Sequence, residues 1–291
     1  MWRRLWENSK VKFVREMAEI YFGKNVGRSS AELAYFLILT FFPILICINA
    51  FIGVLNVDPE SVLRGLEPFL PPSLLGVMAE YLNYITVNES AGLLAAGIFM
   101  TLFFASGAVR SLMNIMDDIY GRKGYGGILQ VVVSVLFSIL LLITIYVSIV
   151  VVMTGNWFFH LIERYLPLQF WDVTWDWQWI RFLLLFGMVF LLVLVVYLMA
   201  APPGKPRAPV FLGALLASVA LVGASIVFSF FIGMSSRYSL IYGSLASVII
   251  LLLWLYLCGN VLILGNVFNC VRYRRKKAKK VQETLDKGKA D

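Results

Sequence analysis

Six long apolar runs constrain the fold of this chain more than any other feature. Each run has at least about 20 residues, the length that an α-helix needs to cross the hydrocarbon core of a bilayer. In lipid such a run can satisfy its backbone hydrogen bonds only as a helix, so we predict helices even where Val and Ile dominate. The runs cover about residues 30–56, 91–113, 127–153, 180–200, 208–231 and 242–268.

The composition excludes a water-soluble domain of this size. Of the 291 residues, 60% are hydrophobic and 14% are charged, whereas a soluble domain carries roughly 25% charged residues. We therefore predict an all-α polytopic membrane protein with six transmembrane helices. We divide the chain into a cytoplasmic amphipathic segment (1–29), a six-helix transmembrane domain (30–270) and a basic cytoplasmic tail (271–291).

The basic residues are distributed unevenly between the two sides of the predicted membrane domain. With both termini in the cytoplasm, 21 of the 25 Lys and Arg residues fall on the cytoplasmic side, as the positive-inside rule requires. One helix more or fewer would break this alternation. The net charge of +8 therefore reflects topology and contact of the basic termini with anionic lipid headgroups, and we predict no nucleic-acid partner.

Three segments outside the spans have distinctive patterns. Residues 2–22 place apolar and basic residues at helical spacing, which indicates either a helix among the lipid headgroups or one packed on the cytoplasmic side of the protein. The segment after Pro72 has an apolar face and a polar face, and predicts an interfacial helix or a lid over the bundle. The tryptophans between Trp157 and Trp179 predict a surface loop at the membrane boundary.

The sequence shows no convergent set of residues for catalysis or metal binding. The single histidine, His160, lies in the aromatic segment near the outer surface. Asp117 and Asp118 project about 100° apart on a helix, which favours a solvated turn over a metal pair. No phosphate-binding loop and no nucleophile elbow occurs. We therefore expect a protein that is not an enzyme and has no metal and no cofactor.

Polar side chains within the spans are the remaining candidates for function, because they are costly in lipid. Glu32 and Arg110 stand near the cytoplasmic ends of the first and second spans, where they could pair or extend separately to headgroups and water. Pro43 predicts a kink in the first span. Asparagines in the spans either line a polar path or hold helices together. The substrate-path candidates are Glu32, Tyr35, Asn49, Arg110, Tyr242, Asn260 and Asn266.

Short motifs occur in a fixed order along about residues 15–270. They are Leu33-Ala34-Tyr35 with Thr40 and Pro43, the proline-rich turn from Pro202 to Pro209 with Gly213-Ala214, and Tyr242-Gly243-Ser244-Leu245-Ala246 with Trp254-Leu255-Tyr256. Their order and spacing resemble the YihY/BrkB family of membrane proteins, with Thr40 where a serine is usual. Where that family commonly has a small residue and an acid after the last glycine of the sixth span, this chain has Asn266-Val267 after Gly265.

The resemblance implies a bacterial inner-membrane protein of unsettled activity. Members of the family were once labelled as a ribonuclease, and others are linked to serum resistance and to the handling of envelope lipids. These links suit a transporter or flippase for a lipid or another amphipathic envelope component. The alternative is a non-transporting scaffold that forms a homo-oligomer. The interfacial helices favour it, and so do the small residues of the fifth and sixth spans, which allow close helix approach within or between subunits. These small residues are the pairs Gly213 and Ala217, Ala214 and Ser218, and Gly243 and Ser247.

Overall fold

The computed structural model describes residues 9–55, 60, 63–64, 67, 72–87, 91–122, 124, 126–165, 173–202, 208–233 and 245–287. Over these residues the chain forms eight α-helices and no strand, which confirms the all-α prediction. The helices are α1 (Ser9–Gly23), α2 (Val26–Leu55), α3 (Pro72–Val87), α4 (Ala91–Tyr120), α5 (Gly127–Tyr165), α6 (Val173–Ala200), α7 (Val210–Gly233) and α8 (Leu245–Lys287).

Six of these helices, α2 and α4 to α8, are long and apolar enough to cross a membrane, so the predicted number of spans is confirmed. α8 continues through the basic tail to Lys287 without a break at residue 270. The aromatic segment predicted as a loop is largely helical, because α5 extends to Tyr165 and α6 begins at Val173. A helix that has already formed extends beyond its apolar run at little cost, since each added residue contributes a further hydrogen bond.

The six spans form a closed ring in the order α2, α4, α5, α6, α7, α8, and α8 returns to contact α2. α4 also contacts α6 and α8 across the ring. Because consecutive spans alternate in direction, α1 and the last part of α8 lie at the same end of the bundle. We call this the charged end, because it carries the ion pairs formed by Asp117 with Arg122 and by Glu16 with Arg275.

The most extensive contact in the ring is between α2 and α4, and two glycines of α4 allow it. A Cβ atom at Gly97 would lie 2.8 Å from Cγ2 of Ile46, and one at Gly107 would lie 2.6 Å from the ring of Phe36. Both separations are shorter than van der Waals contact between carbon atoms. The absence of a side chain therefore lets the two helices approach closely at both levels.

The main hydrophobic core lies in the half of the bundle next to the charged end. It joins α1, α2, α4, α6, α7 and α8. Large apolar side chains on the outer surface of the bundle, such as Phe230 at 72% exposure, face outward as expected for a protein whose solvent is lipid. The completely buried members of the core include Val26, Met116, Ile119, Tyr197, Ala214, Ile263, Val267 and Val271.

α1 packs on the protein at the charged end. The ring of Phe13 contacts that of Phe268 on α8 at a centroid distance of 5.3 Å, and Ile20 is buried in the main core. Of the two interpretations of this segment, the structure therefore supports a helix packed on the bundle. The part of the predicted helix before Ser9 lies outside the described residues.

α3 lies at the opposite end of the bundle, against α2 and α8. Its Met78 and Leu82 are buried against Leu45 of α2, and the ring of Tyr81 contacts that of Phe42 at a centroid distance of 5.2 Å. Burial raises the pKa of Tyr81 above its ordinary value, so its phenol keeps its proton to a higher pH than a tyrosine in water. α3 therefore packs along the half of α2 that lies away from the charged end and also contacts α8, which agrees with the lid interpretation.

Candidate functional site

Three of the predicted path residues do not converge on a site. Glu32 and Tyr35 lie on the outward side of α2, where Tyr35 is 56% exposed. Arg110 donates from Nε to the carbonyl of Ser106 on its own helix at 3.3 Å. Among the described residues, Glu32 and Arg110 do not form an ion pair. The structure therefore agrees with the other option, in which each side chain extends separately to headgroups or water. Tyr242 lies outside the described residues.

Pro43 and Asn49 lie in the buried part of α2. Pro43 is inside a continuous helix and leaves the carbonyl of Leu39 without its usual intrahelical donor. The hydroxyl of Thr40 donates to the carbonyl of Phe36 at 2.7 Å, and so does not replace that donor. Asn49 is 3% exposed. The kink at Pro43 and the role of Asn49 in a path remain predictions.

Asn260 connects α8 to α1. Its Oδ1 accepts a hydrogen bond from the hydroxyl of Tyr21 at 2.9 Å, and its Nδ2 donates to the carbonyl of Tyr256 at 2.9 Å. Both ends of the amide are therefore satisfied within the protein. Of the two roles considered for the asparagines, this geometry supports that of holding helices together.

Asn266 differs from Asn260 because its completely buried amide has no partner. Within the part of the chain that the structure describes, neither Nδ2 nor Oδ1 of Asn266 makes a hydrogen bond. Asn269, about one turn further along α8, donates from Nδ2 to the carbonyl of Val210 at 3.3 Å, but its Oδ1 is unpartnered there too. The buried hydroxyl of Ser218 on α7 is likewise unpartnered. Ser111 and Tyr120 of α4 also carry buried hydroxyls without a partner there. We refer to Asn266, Asn269 and Ser218 together as the buried polar cluster, because all three lie on the adjoining helices α7 and α8.

The helices around the buried polar cluster are packed too closely for additional side-chain atoms. A Cβ atom at Gly265 would collide with the hydroxyl of Tyr197, and one at Gly213 would collide with the side chain of Asn269. The Tyr197 hydroxyl donates to the carbonyl of Leu262 on α8 at 2.5 Å. α6, α7 and α8 are therefore joined tightly at the depth of the cluster.

Asp117 is buried, and its prediction as part of a solvated turn is wrong. It is 6% exposed and accepts a hydrogen bond from Nε of Arg122 at 2.7 Å. The same guanidinium donates to the carbonyls of Ala201 at 3.2 Å and Met199 at 3.3 Å. Asp118 is exposed, as predicted. Adjacent helical residues point in different directions, so only the tertiary contacts reveal which of the two carboxylates faces the protein.

The C-terminus of α4 is closed by groups from α8. The carbonyl of Ile119 accepts hydrogen bonds from Nη2 of Arg274 at 2.9 Å and from the thiol of Cys270 at 3.4 Å. The last carbonyls of a helix have no intrahelical donor and carry its negative partial charge. A cation at a helix C-terminus is favourable, so Arg274 stabilises the end of α4. Arg122 does the same at the end of α6, where it binds the carbonyls of Met199 and Ala201.

α1 is fastened to α8 by the ion pair between Glu16 and Arg275, whose Nε and Nη2 each donate to the carboxylate at 3.0 Å. We expect Glu16→Arg or Arg275→Glu alone to release α1, because like charges would then face each other. The exchange of both residues should restore attachment. Hydrogen exchange of residues 9–23 measures release.

The exposed pair of Arg15 and Glu19 on α1 (63% and 60% side-chain exposure) provides the control for the exchange of charges. Such pairs contribute only about 0–1 kcal/mol, so Glu19→Arg should leave the hydrogen exchange of the α1 amides nearly unchanged. Protection of α1 that is equal in Glu16→Arg and in the original chain would contradict the proposed attachment.

The polar groups in these contacts can bind and position the polar part of a ligand. They are amides, hydroxyls, main-chain carbonyls and ion pairs. The described residues contain no group of three or more His, Cys, Asp or Glu side chains that could hold a metal ion. The small residues Gly213, Ala217 and Ser218 are buried inside the chain, so these members of the small-residue pairs pack within one subunit. Gly243 and the side chain of Ser247 lie outside the described part of the structure, and the homo-oligomer remains a prediction.

The closed ring of six apolar helices defines a multi-pass membrane protein. The chain belongs to the family described as Virulence factor BrkB, which matches residues 19–289. This confirms the family that the sequence motifs indicated. The chain is similar to the protein named ribonuclease-like protein YfkH of Bacillus subtilis (strain 168). The two are 28% identical over 274 residues, which are 92% of this chain and 97% of the relative.

Two further relatives are named UPF0761 membrane protein. The one from Alkalilimnicola ehrlichii is 28% identical over 275 residues, which are 90% of this chain and 58% of the relative. The one from Chromobacterium violaceum is 45% identical over 56 residues, which are 19% of this chain and 13% of the relative. No solved structure matches the chain.

Proposed function

We propose that the protein is a transporter or flippase of the bacterial inner membrane, for a lipid or another amphipathic envelope component. It has no enzymatic activity in this proposal, and its charged end faces the cytoplasm. The observation that carries the proposal is the buried polar cluster of Asn266, Asn269 and Ser218. Within the described structure, both polar atoms of the Asn266 amide, Oδ1 of Asn269 and the hydroxyl of Ser218 have no hydrogen-bond partner. The membership of a membrane-protein family supports the setting, and the ligand class comes from the family resemblance.

The energetic cost of the cluster is the reason for this proposal. Burying an amide or hydroxyl without a hydrogen bond costs on the order of 1–3 kcal/mol according to protein mutational data. A bundle that served only as a scaffold would be more stable with apolar residues of similar size at these positions. Polar residues at such a cost are expected where they meet a polar ligand or water in another state of the protein. The structure then corresponds to a state closed at the charged end.

Two features suit such a cycle of closing and opening. At the charged end, the tight contacts of α6, α7 and α8 around Gly265 and Gly213 close the bundle. At the opposite end, α3 contacts both α2 and α8 and would have to move if those helices separated there. We propose that α3 is the gate on the outer side.

The activity is tested with purified full-length protein in liposomes that contain fluorescently labelled phospholipids. Bleaching of the outer leaflet with a membrane-impermeant reductant measures how fast labelled lipids cross. We expect faster crossing than in protein-free liposomes for at least one headgroup. A panel of phospholipids and other amphipathic envelope components without any accelerated crossing or uptake would overturn the proposal.

Asn266→Leu tests the role of the buried polar cluster. Leucine has a similar shape and no polar atoms, so we expect the free energy of unfolding to rise by about 1–2 kcal/mol, since an unpartnered amide is removed. Transport should fall at least about tenfold, because a buried polar contact for the ligand is lost at a cost of 1.4 kcal/mol or more. Thermal unfolding and lipid crossing are measured on the same preparation.

Asn114→Leu is the matched control for this substitution. Asn114 is exposed and accepts a hydrogen bond from Nε2 of Gln130 at 2.6 Å, so its replacement should change neither unfolding nor crossing appreciably. A loss of stability in Asn266→Leu would show that the amide holds helices together, and would contradict its assignment to a ligand path.

The proposed orientation is tested separately. In a variant whose Cys47, Cys258 and Cys270 are replaced by alanine, single cysteines are introduced in place of Lys277 in α8 and of Glu67 at the opposite end. They should differ in their reaction with a membrane-impermeant thiol reagent added to intact cells. We expect labelling at position 67 and none at position 277 until the membrane is opened. The reverse pattern would invert the topology.

A further inference from the structure

The charged end has a second polar region, separate from the buried polar cluster, in the angle between α1 and α8. It is an open pocket of about 510 Å³. One side comes from α1 and the turn after it, and the other from the part of α8 where the apolar run gives way to the basic tail. The lining residues are Glu16, Glu19, Ile20, Gly23, Lys24, Val271, Arg274, Arg275 and Ala278.

Most of the charges in this pocket are already compensated. Glu16 is held by two hydrogen bonds from Arg275, and Glu19 accepts a hydrogen bond from Arg15 at 2.7 Å. The negative charges of the lining are therefore matched one to one by arginines. Any anion that enters the pocket meets the positive charges that remain.

Two cations remain for such an anion. Within the described part of the chain, no hydrogen bond or ion pair holds the ammonium of Lys24. Arg274 donates from Nη2 to the carbonyl of Ile119 at 2.9 Å, and a guanidinium has five N–H donors, so it has capacity for a further acceptor. The uncompensated charge of the pocket is thus that of Lys24 and Arg274.

The position of the pocket along the membrane normal indicates the source of the anion. Ile20 and Val271 give it an apolar floor, and both belong to the main hydrophobic core. The two cations lie just beyond the end of the apolar part of α8. In a bilayer this is the level at which the hydrocarbon meets the headgroups, where basic residues attract lipid phosphate.

We propose that this pocket binds the phosphate of a glycerophospholipid headgroup. Lys24 and Arg274 contact the phosphate, and Ile20, Val271 and Ala278 contact the glycerol and the first part of the acyl chains. Charge-assisted hydrogen bonds to phosphate are stronger than neutral ones. The site is independent of the proposed transport, because it requires only that the protein is embedded in a membrane.

The test is the thermal stability of the full chain in a neutral detergent as short-chain phosphatidylglycerol is added. We expect a saturable rise in melting temperature. Lys24→Gln and Arg274→Gln should each raise the apparent dissociation constant at least fivefold. Lys280→Gln removes the same charge from an exposed position of α8 outside the pocket and should leave the constant unchanged.

Several outcomes would overturn the proposal. If Lys24→Gln and Lys280→Gln weaken binding equally, the attraction is a general effect of net charge. If inorganic phosphate at the same concentration stabilises the protein as strongly as the lipid, the pocket binds free phosphate and not a headgroup. Arg274→Gln also removes the bond to Ile119 and could unfold the charged end, in which case the result with Lys24→Gln decides.

Discussion

Gly265→Val is expected to lower the free energy of unfolding by about 3 kcal/mol, the upper part of the range for overpacked cores. A Cβ atom at this position would collide with the hydroxyl of Tyr197 and lie 2.7 Å from Cβ of Ala217 and 3.2 Å from the carbonyl oxygen of Gly213. Main-chain atoms and a buried tyrosine cannot move aside cheaply. α7 and α8 must therefore separate, or the hydroxyl must leave the carbonyl of Leu262.

Gly223→Val on α7 is the control for this substitution. No atom lies within 4 Å of a Cβ atom at Gly223, so valine fits there without displacement, and the free energy of unfolding should change by less than about 0.5 kcal/mol. Unfolding in a mild detergent, followed by circular dichroism, compares the two variants. Equal stability of Gly265→Val and Gly223→Val would mean that α6, α7 and α8 do not meet as closely as described.

The second large effect is expected for Arg122→Gln. This change leaves the carboxylate of Asp117 buried without its cation and removes the donors to the carbonyls of Met199 and Ala201. Breaking a buried ion pair by removing one partner costs about 3–5 kcal/mol, because an uncompensated charge remains. α4 and α6 should therefore separate at the charged end, with a corresponding fall in melting temperature.

The double variant Asp117→Asn with Arg122→Gln separates the charge from the packing. Once both charges are neutral, we expect at least half of the lost stability to return, since the largest cost of the single variant is the unpaired carboxylate. Arg15→Gln, in the exposed pair with Glu19, should cost less than about 1 kcal/mol. A double variant that is no more stable than Arg122→Gln would show that the hydrogen bonds to α6 matter more than the ion pair.

Much of the architecture could be predicted from the sequence, and the roles of single residues could not. Asn260 and Asn266 are six positions apart in the same apolar helix, and nothing local distinguishes them. In the structure, Asn260 is satisfied by Tyr21 of α1, whereas Asn266 is fully buried and unpartnered within the described residues. The difference arises from which neighbouring helix each residue faces.

The same limit explains the two charged sites. The similar depth of Glu32 and Arg110 suggests an ion pair, but depth does not determine the direction in which a helix presents a side chain. The sequence predicts a solvated Asp117, but in the structure it is buried and pairs with Arg122, which in turn binds carbonyls at the end of α6. Apolar and polar positions that recur with the helical period would indicate the buried side, but helices that are apolar on all sides carry no such signal.

The sequence by itself determined the six membrane-spanning helices, because a long apolar backbone in lipid has no other way to satisfy its hydrogen bonds. It also indicated the family, through motifs whose order and spacing were sufficient. Only the tertiary structure decided how each helix is rotated and which polar groups it places inside the ring. That choice depends on contacts between residues far apart in the chain, such as Ile119 with Arg274, and hydropathy along one helix does not contain it.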